Sequence, residues 1–119
     1  FFKGMFETDL KKGELIEAVE FEVPEKSAYA KFPSPASRYA MVGVFVAKFS
    51  DGVRVAVTGA GEEGVFRHSD LESALSSNFS EEAVSGVEVS SDGLMSDIHA
   101  SADYRANLIG EMTKRAVSS

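Results

Sequence analysis

Residues 29–58 read YAKFPSPASRYAMVGVFVAKFSDGVRVAVT, and the second half of this stretch has the pattern of a β-hairpin. Residues 39–49 are apolar and rich in β-branched side chains. Asp51-Gly52 follows, a dipeptide suited to a tight turn because glycine tolerates positive φ. The return strand places Val53, Val55 and Val57 on one face and Arg54 and Thr58 on the other. It reads as half-buried. The outgoing strand has almost no polar face, so a cover on both its sides is expected.

Working outward, the composition sets limits. At 119 residues, 44% hydrophobic and 26% charged, the chain can form one domain with a core. Its 19 acidic and 12 basic residues leave a net charge of -7. A nucleic-acid surface needs clustered Lys and Arg, so no nucleic-acid partner is expected. Binding to an anionic membrane is disfavoured for the same reason. Cysteine is absent, which excludes disulfides, thiolate metal sites, iron–sulfur ligation and cysteine nucleophiles. That fits a cytoplasmic protein. No apolar run is long enough to span a bilayer, so no membrane insertion is expected. The N-terminus has neither an initiator Met nor the pattern of a signal peptide, and the expectation is a fragment of a longer chain.

Residues 1–12 are mixed and irregular, with Phe1, Phe2, Met5 and Phe6 lacking apolar neighbours in sequence. They read as a linker or the tail of a preceding domain, ahead of a domain over 13–119. Residues 15–23 (LIEAVEFEV) predict a strand, with Val19, Phe21 and Val23 alternating with Glu20 and Glu22. Pro24 stops it. Residues 29–32 form a short extended piece. Pro33 and Pro35 then restrain a loop in which Ala36-Ser37-Arg38 can hold one helical turn.

After Thr58, Gly59-Ala60-Gly61-Glu62-Glu63-Gly64 matches G-x-G-x-x-G. The preceding strand is the second arm of a hairpin and not part of a βαβ unit. Glu62 and Glu63 would also repel a pyrophosphate. A flexible loop is the better reading. Ser69-Asp70-Leu71-Glu72 reads as a capping box that starts a helix to about residue 77. Ser80-Glu81-Glu82 starts a second, with Gly86 as its stop. Ser101 reads as the N-cap of the longest helix, to about residue 117, with Tyr104, Leu108 and Met112 as its core-facing stripe and Ile109 beside it. Strands first and helices last give an α+β fold: an antiparallel sheet of three or four strands, covered on one face by three helices.

No complete catalytic set emerges from the residues. His68 and His99 each sit at a helix entry, far apart, with no third ligand at a metal-site spacing. His68-Ser69-Asp70 and the run from Asp97 through His99 to Ser101 combine the residue types of a triad. Ser69 and Ser101 are better explained as caps, because triads are assembled in space. Lys31 stands apart. It lies between Ala30 and Phe32 beside the proline-braced loop, where an ammonium would be mounted at a sheet edge or an interface; a snorkelling surface lysine is the plainer alternative.

Several segments resemble the C-terminal domain of the FAD-binding subunit of the molybdenum hydroxylases, the family of carbon monoxide dehydrogenase and xanthine dehydrogenase. Tyr29-Ala30-Lys31-Phe32, Pro35-Ala36-Ser37-Arg38-Tyr39-Ala40 and Val42-Gly43-Val44 carry the first part of the likeness. Ser96-Asp97-Ile98-His99-Ala100-Ser101-Ala102-Asp103-Tyr104-Arg105 and Lys114-Arg115-Ala116-Val117 carry the second. Weaker matches are Val57-Thr58-Gly59, and Phe66-Arg67 with Leu71-Glu72 and Ala74-Leu75 as a first helix. Phe1-Phe2-Lys3-Gly4, with Thr8 and Leu10, is similar to the tail of the preceding flavin domain.

The resemblance implies an antiparallel sheet with a three-helix layer and a parent chain that binds FAD. It implies a molybdopterin-binding large subunit and an iron–sulfur small subunit as partners, with electrons passing from iron–sulfur clusters through flavin to an external acceptor. The fragment itself would not hold FAD tightly, since the phosphate-binding loops belong to the larger N-terminal domains. Lys31 matches the lysine that lies near the flavin ring. Ser34 and Pro35 depart from the arginines frequent there, and Tyr39 from an acid carried by some relatives. On residues alone, a non-catalytic protein-interaction or ligand-binding module is the alternative.

Overall fold

The chain is described by a computed structural model covering residues 1–4 and 6–119. Met5, grouped above with the terminal aromatics, lies outside the described residues. The fold is α+β. A two-stranded ribbon, β1 (Phe2–Gly4) and β2 (Glu7–Thr8), comes first. The main sheet follows: β3 (Lys26–Pro33), β4 (Ala40–Phe49), β5 (Gly52–Gly61) and β6 (Gly64–Arg67). Three helices close the chain: α1 (Ser69–Ser77), α2 (Glu81–Ser85) and α3 (Ala102–Ser118). The main sheet has the order β3-β4-β5-β6 and is antiparallel throughout.

The valine alternation sets the core. Val42, Val44 and Val46 of β4 share a face with Val53, Val55 and Val57 of β5, and all six are buried. Against them pack Leu71 and Leu75 of α1 and Ile109 and Met112 of α3, also buried. Each such side chain contributes roughly 1.5–3 kcal/mol by leaving water. Ala28, Ala30 and Phe32 of β3 join this side, so Tyr29 and Lys31 point to the other face.

Among the described residues, no helix covers that other face. Tyr29 and Phe45, paired across β3 and β4, are 51% and 42% exposed. The expected cover on both sides of β4 is therefore supplied on one side only. On the open side, Tyr29 leans over Gly43, where an added Cβ would lie 2.2 Å from the tyrosine hydroxyl. The absence of a side chain at Gly43 makes room for the ring.

Four further sequence expectations need correction. Residues 15–23 form no strand; Leu15 and Val23 are 91% and 82% exposed. Alternation is half of what a strand needs. Its N–H and C=O groups must also find a partner edge, and none of the described strands pairs with this segment. In the central hairpin Phe49 pairs with Gly52, so the turn residues are Ser50 and Asp51, one place earlier than read. Gly52 still needs its positive φ of 142°, but at the first position of the return strand.

Residues 59–64 are not a flexible loop. β5 continues to Gly61, turns through Glu62-Glu63 and returns as β6, with Gly61 paired to Gly64. The glycines of G-x-G-x-x-G serve this second hairpin. Last, α1 is capped by His68, whose Nδ1 accepts the Leu71 N–H at 3.4 Å, not by Ser69. Glu72 is drawn away from any capping box: its carboxylate accepts the Val55 N–H at 2.9 Å and also binds Arg67. Ser76 takes the Val53 N–H at 2.8 Å. β6 ends at Arg67, so α1 side chains satisfy the β5 edge beyond it.

The caps and stops expected of the other two helices hold. Ser80 caps α2 through the Ala83 N–H, Gly86 ends it, and Ser101 caps α3 through the Tyr104 N–H. Among the described residues no helix is long and apolar enough to cross a membrane.

Candidate functional site

The proline-braced loop folds over the end of the β3–β4 pair. The Ser34 N–H donates to the Tyr39 carbonyl at 2.7 Å, and the Arg38 N–H to the Ser34 carbonyl at 2.9 Å. The single turn expected over residues 36–38 falls one place earlier, over residues 35–37. Arg38 closes it with a φ of 65°. The ammonium of Lys31 donates to the Arg38 carbonyl at 3.1 Å. Lys31 is exposed on the open face of the sheet, opposite Gly43. It sits on β3 beside the loop and is tied to that loop by this hydrogen bond.

Behind the loop, on the helix side, Arg105 is 3% exposed. One guanidinium nitrogen donates to the Met41 carbonyl at 2.7 Å and to the Gly59 carbonyl at 3.0 Å. The other meets an Asp97 carboxylate oxygen at 2.8 Å. Asp97 in turn accepts the N–H groups of His99 at 2.9 Å and Ala100 at 3.0 Å. These backbone bonds, His99 first, and the Arg105 charge hold the Asp97 carboxyl below its ordinary pKa. Arg105 therefore ties β4, β5 and the entry to α3 into one corner.

A cavity of about 270 Å³ opens there, bordered by Ser34, Ser37, Tyr39, Met95, His99 and Arg105. The Arg105 Nε is buried without a partner. Asp97 is committed to backbone and guanidinium, and Ser101 to its cap, so the local Asp, His and Ser are not arranged as a triad. Among the described residues no three His, Cys, Asp or Glu side chains gather as metal ligands.

One position at this corner, Arg105, escaped the sequence reading as an individual residue, and a second, Tyr104, was assigned to the wrong environment. Arg105 was read only as part of a matching segment. Its signal was present: it lies three, four and seven residues from Ala102, Ile109 and Met112, inside the apolar stripe of α3, where an arginine needs buried partners. Tyr104, placed in the core stripe, is instead 45% exposed and meets Phe32 edge-on at 6.3 Å.

The corner and the α1 contact both respond to acid. Burial acts to raise the Glu72 pKa, but the bonds from Arg67 and the Val55 N–H, with the positive charges of Arg67 and Arg54, outweigh it and leave it lowered. Each carboxyl titrates lower in the fold than in the unfolded chain. Its stabilisation is complete above the unfolded value, about 4, and is lost as pH falls through the folded value. The thermal midpoint is expected to hold near neutrality and to drop below about pH 4. Glu72→Gln should flatten that drop; an unchanged acid slope in the variant would remove Glu72 from the account.

Comparison with protein-family models, with curated proteins and with solved structures gave no match to this chain.

Proposed function

We propose that this chain is the C-terminal domain of an FAD-binding subunit of a molybdenum hydroxylase, of the carbon monoxide dehydrogenase and xanthine dehydrogenase family. One observation supports the reading. The two segments with the strongest likeness, residues 29–40 and 97–105, are far apart in sequence yet border the same cavity, through Ser34, Ser37, Tyr39, His99 and Arg105. The four-stranded antiparallel sheet with its helices is compatible with the same family.

FAD in the parent chain would supply the two-electron relay between iron–sulfur clusters and an external acceptor. Lys31 is the residue of this chain assigned to it. An ammonium has three donors. One is spent on the Arg38 carbonyl, and the exposed remainder can face an anionic group. A cation held there favours negative charge on the ring and so raises its potential.

In the full-length parent, Lys31→Ala is expected to lower the flavin potential by about 30 mV or more, the equivalent of about 1.4 kcal/mol in a two-electron couple. Lys31→Arg should restore most of it. The measurement is a spectroscopic redox titration. A parent that carries no FAD and cannot be reconstituted with it would end this reading. An unchanged potential in Lys31→Ala would end only the role of Lys31. The exposed alternation of Val19, Phe21 and Val23 favours a second reading, a non-catalytic interaction module, which the colourless outcome would leave in place.

A further inference from the structure

A second groove lies away from the corner, on the helix side. It has a volume of about 640 Å³ and runs between α3 and residues 87–91. Val87 and Val89 pack toward the core while Glu88 and Ser90 face out, the alternation of an extended chain. Among the described residues, no backbone hydrogen bond engages the N–H or C=O of Glu88, Val89 or Ser90 with other backbone. The run is an unpaired edge facing a helix.

The helix side carries a second observation. Gly110 lies in the middle of α3, a helix of 17 residues, and borders the groove. Glycine weakens a helix interior relative to alanine. Among the described residues no tertiary contact calls for it: apart from its own stretch of helix, a Cβ added at Gly110 would have no neighbour within 4 Å. A glycine that no internal contact demands, facing an open groove, fits the close approach of a backbone from outside. The rim carries more acid than base. Glu88, Asp103 and Glu111 border it, and Lys114, which borders it too, is bound to Glu111 at 2.8 Å.

We propose that this groove binds an extended, basic peptide segment of another protein. The segment would pair with the free edge at Glu88–Ser90, pass close over Gly110 and place Lys or Arg side chains against Glu88, Asp103 and Glu111. Strand addition supplies the main-chain bonds and the rim selects the charge. The inference does not depend on the flavin reading.

The test is a nitrogen–proton NMR titration of the chain with acetyl-Lys-Val-Arg-Val-Lys-amide, and with acetyl-Glu-Val-Glu-Val-Glu-amide as the charge-reversed control. The basic peptide is expected to shift the amides of Glu88, Val89, Ser90 and Gly110, and the acidic one to leave them in place. Gly110→Leu should weaken binding about tenfold or more. Gly110→Ala should raise the thermal midpoint while weakening binding, a combination that a purely structural glycine would not give. Shifts confined to other residues, equal response to both peptides, no response at millimolar peptide, or full affinity in Gly110→Leu would each overturn the proposal.

Discussion

Arg105→Ala is expected to cost about 3 kcal/mol of folding free energy, read as a shift in the denaturant midpoint. The replacement removes three hydrogen bonds at once, to Met41, Gly59 and Asp97. Two backbone carbonyls at a buried corner then lose their donor, and an unmade buried bond costs more than a made one gains. Asp97 is partly open to solvent, which keeps the cost below that of stranding a fully buried carboxylate. Arg105→Lys should recover only part of the loss, because a point-like ammonium cannot span the three acceptors as the guanidinium fork does. A loss under about 1 kcal/mol for Arg105→Ala would show that water replaces the arginine at little cost.

Gly59→Ala is expected to be at least as damaging, by about 3 kcal/mol, or to prevent soluble expression. Gly59 has a φ of 74°, in the left-handed region, and its added Cβ would stand 2.3 Å from the Ala40 carbonyl oxygen. The conformational penalty alone is about 1–2 kcal/mol, and the collision is with backbone that cannot swing away. Gly64 provides the control. Its φ is 106°, but nothing lies within 4 Å of the added Cβ, so Gly64→Ala should show the conformational penalty without the clash. Comparable losses in the two variants, measured by denaturant unfolding, would discount the contact with Ala40.

The pattern of residues made part of this fold legible. A run of apolar, β-branched residues identified β4, and valine alternation identified β5 and its buried face. Ser80 and Ser101 marked two helix starts, because a hydroxyl before a helical pattern has a defined partner. Residues 15–23 misled because periodicity describes faces and says nothing about edges; five glutamate-flanked apolar side chains remain in water there. The glycines at 59, 61 and 64 misled in the other direction. Glycine signals a turn, and it signals equally a close pass of strands, as at Gly61 and Gly64. Glu72 was read as a local cap partner and instead reaches Val55, 17 residues away. Lys31 was legible because its neighbours on the strand and the two prolines fix its setting locally. The full role of Arg105 depends on carbonyls 64 and 46 positions distant, which no local pattern encodes.

Those separations also govern when the corner can form. Local helices and the central hairpin can close early, since their contacts span few residues. The arginine fork has acceptors only after the hairpin is complete and the last helix has docked on it. Its bonds are therefore expected on the late side of the folding barrier, where lost interactions leave the folding rate nearly untouched and act on the rate of unfolding. The arginine serves as a latch, setting how long the assembled molecule stays closed more than how quickly it assembles.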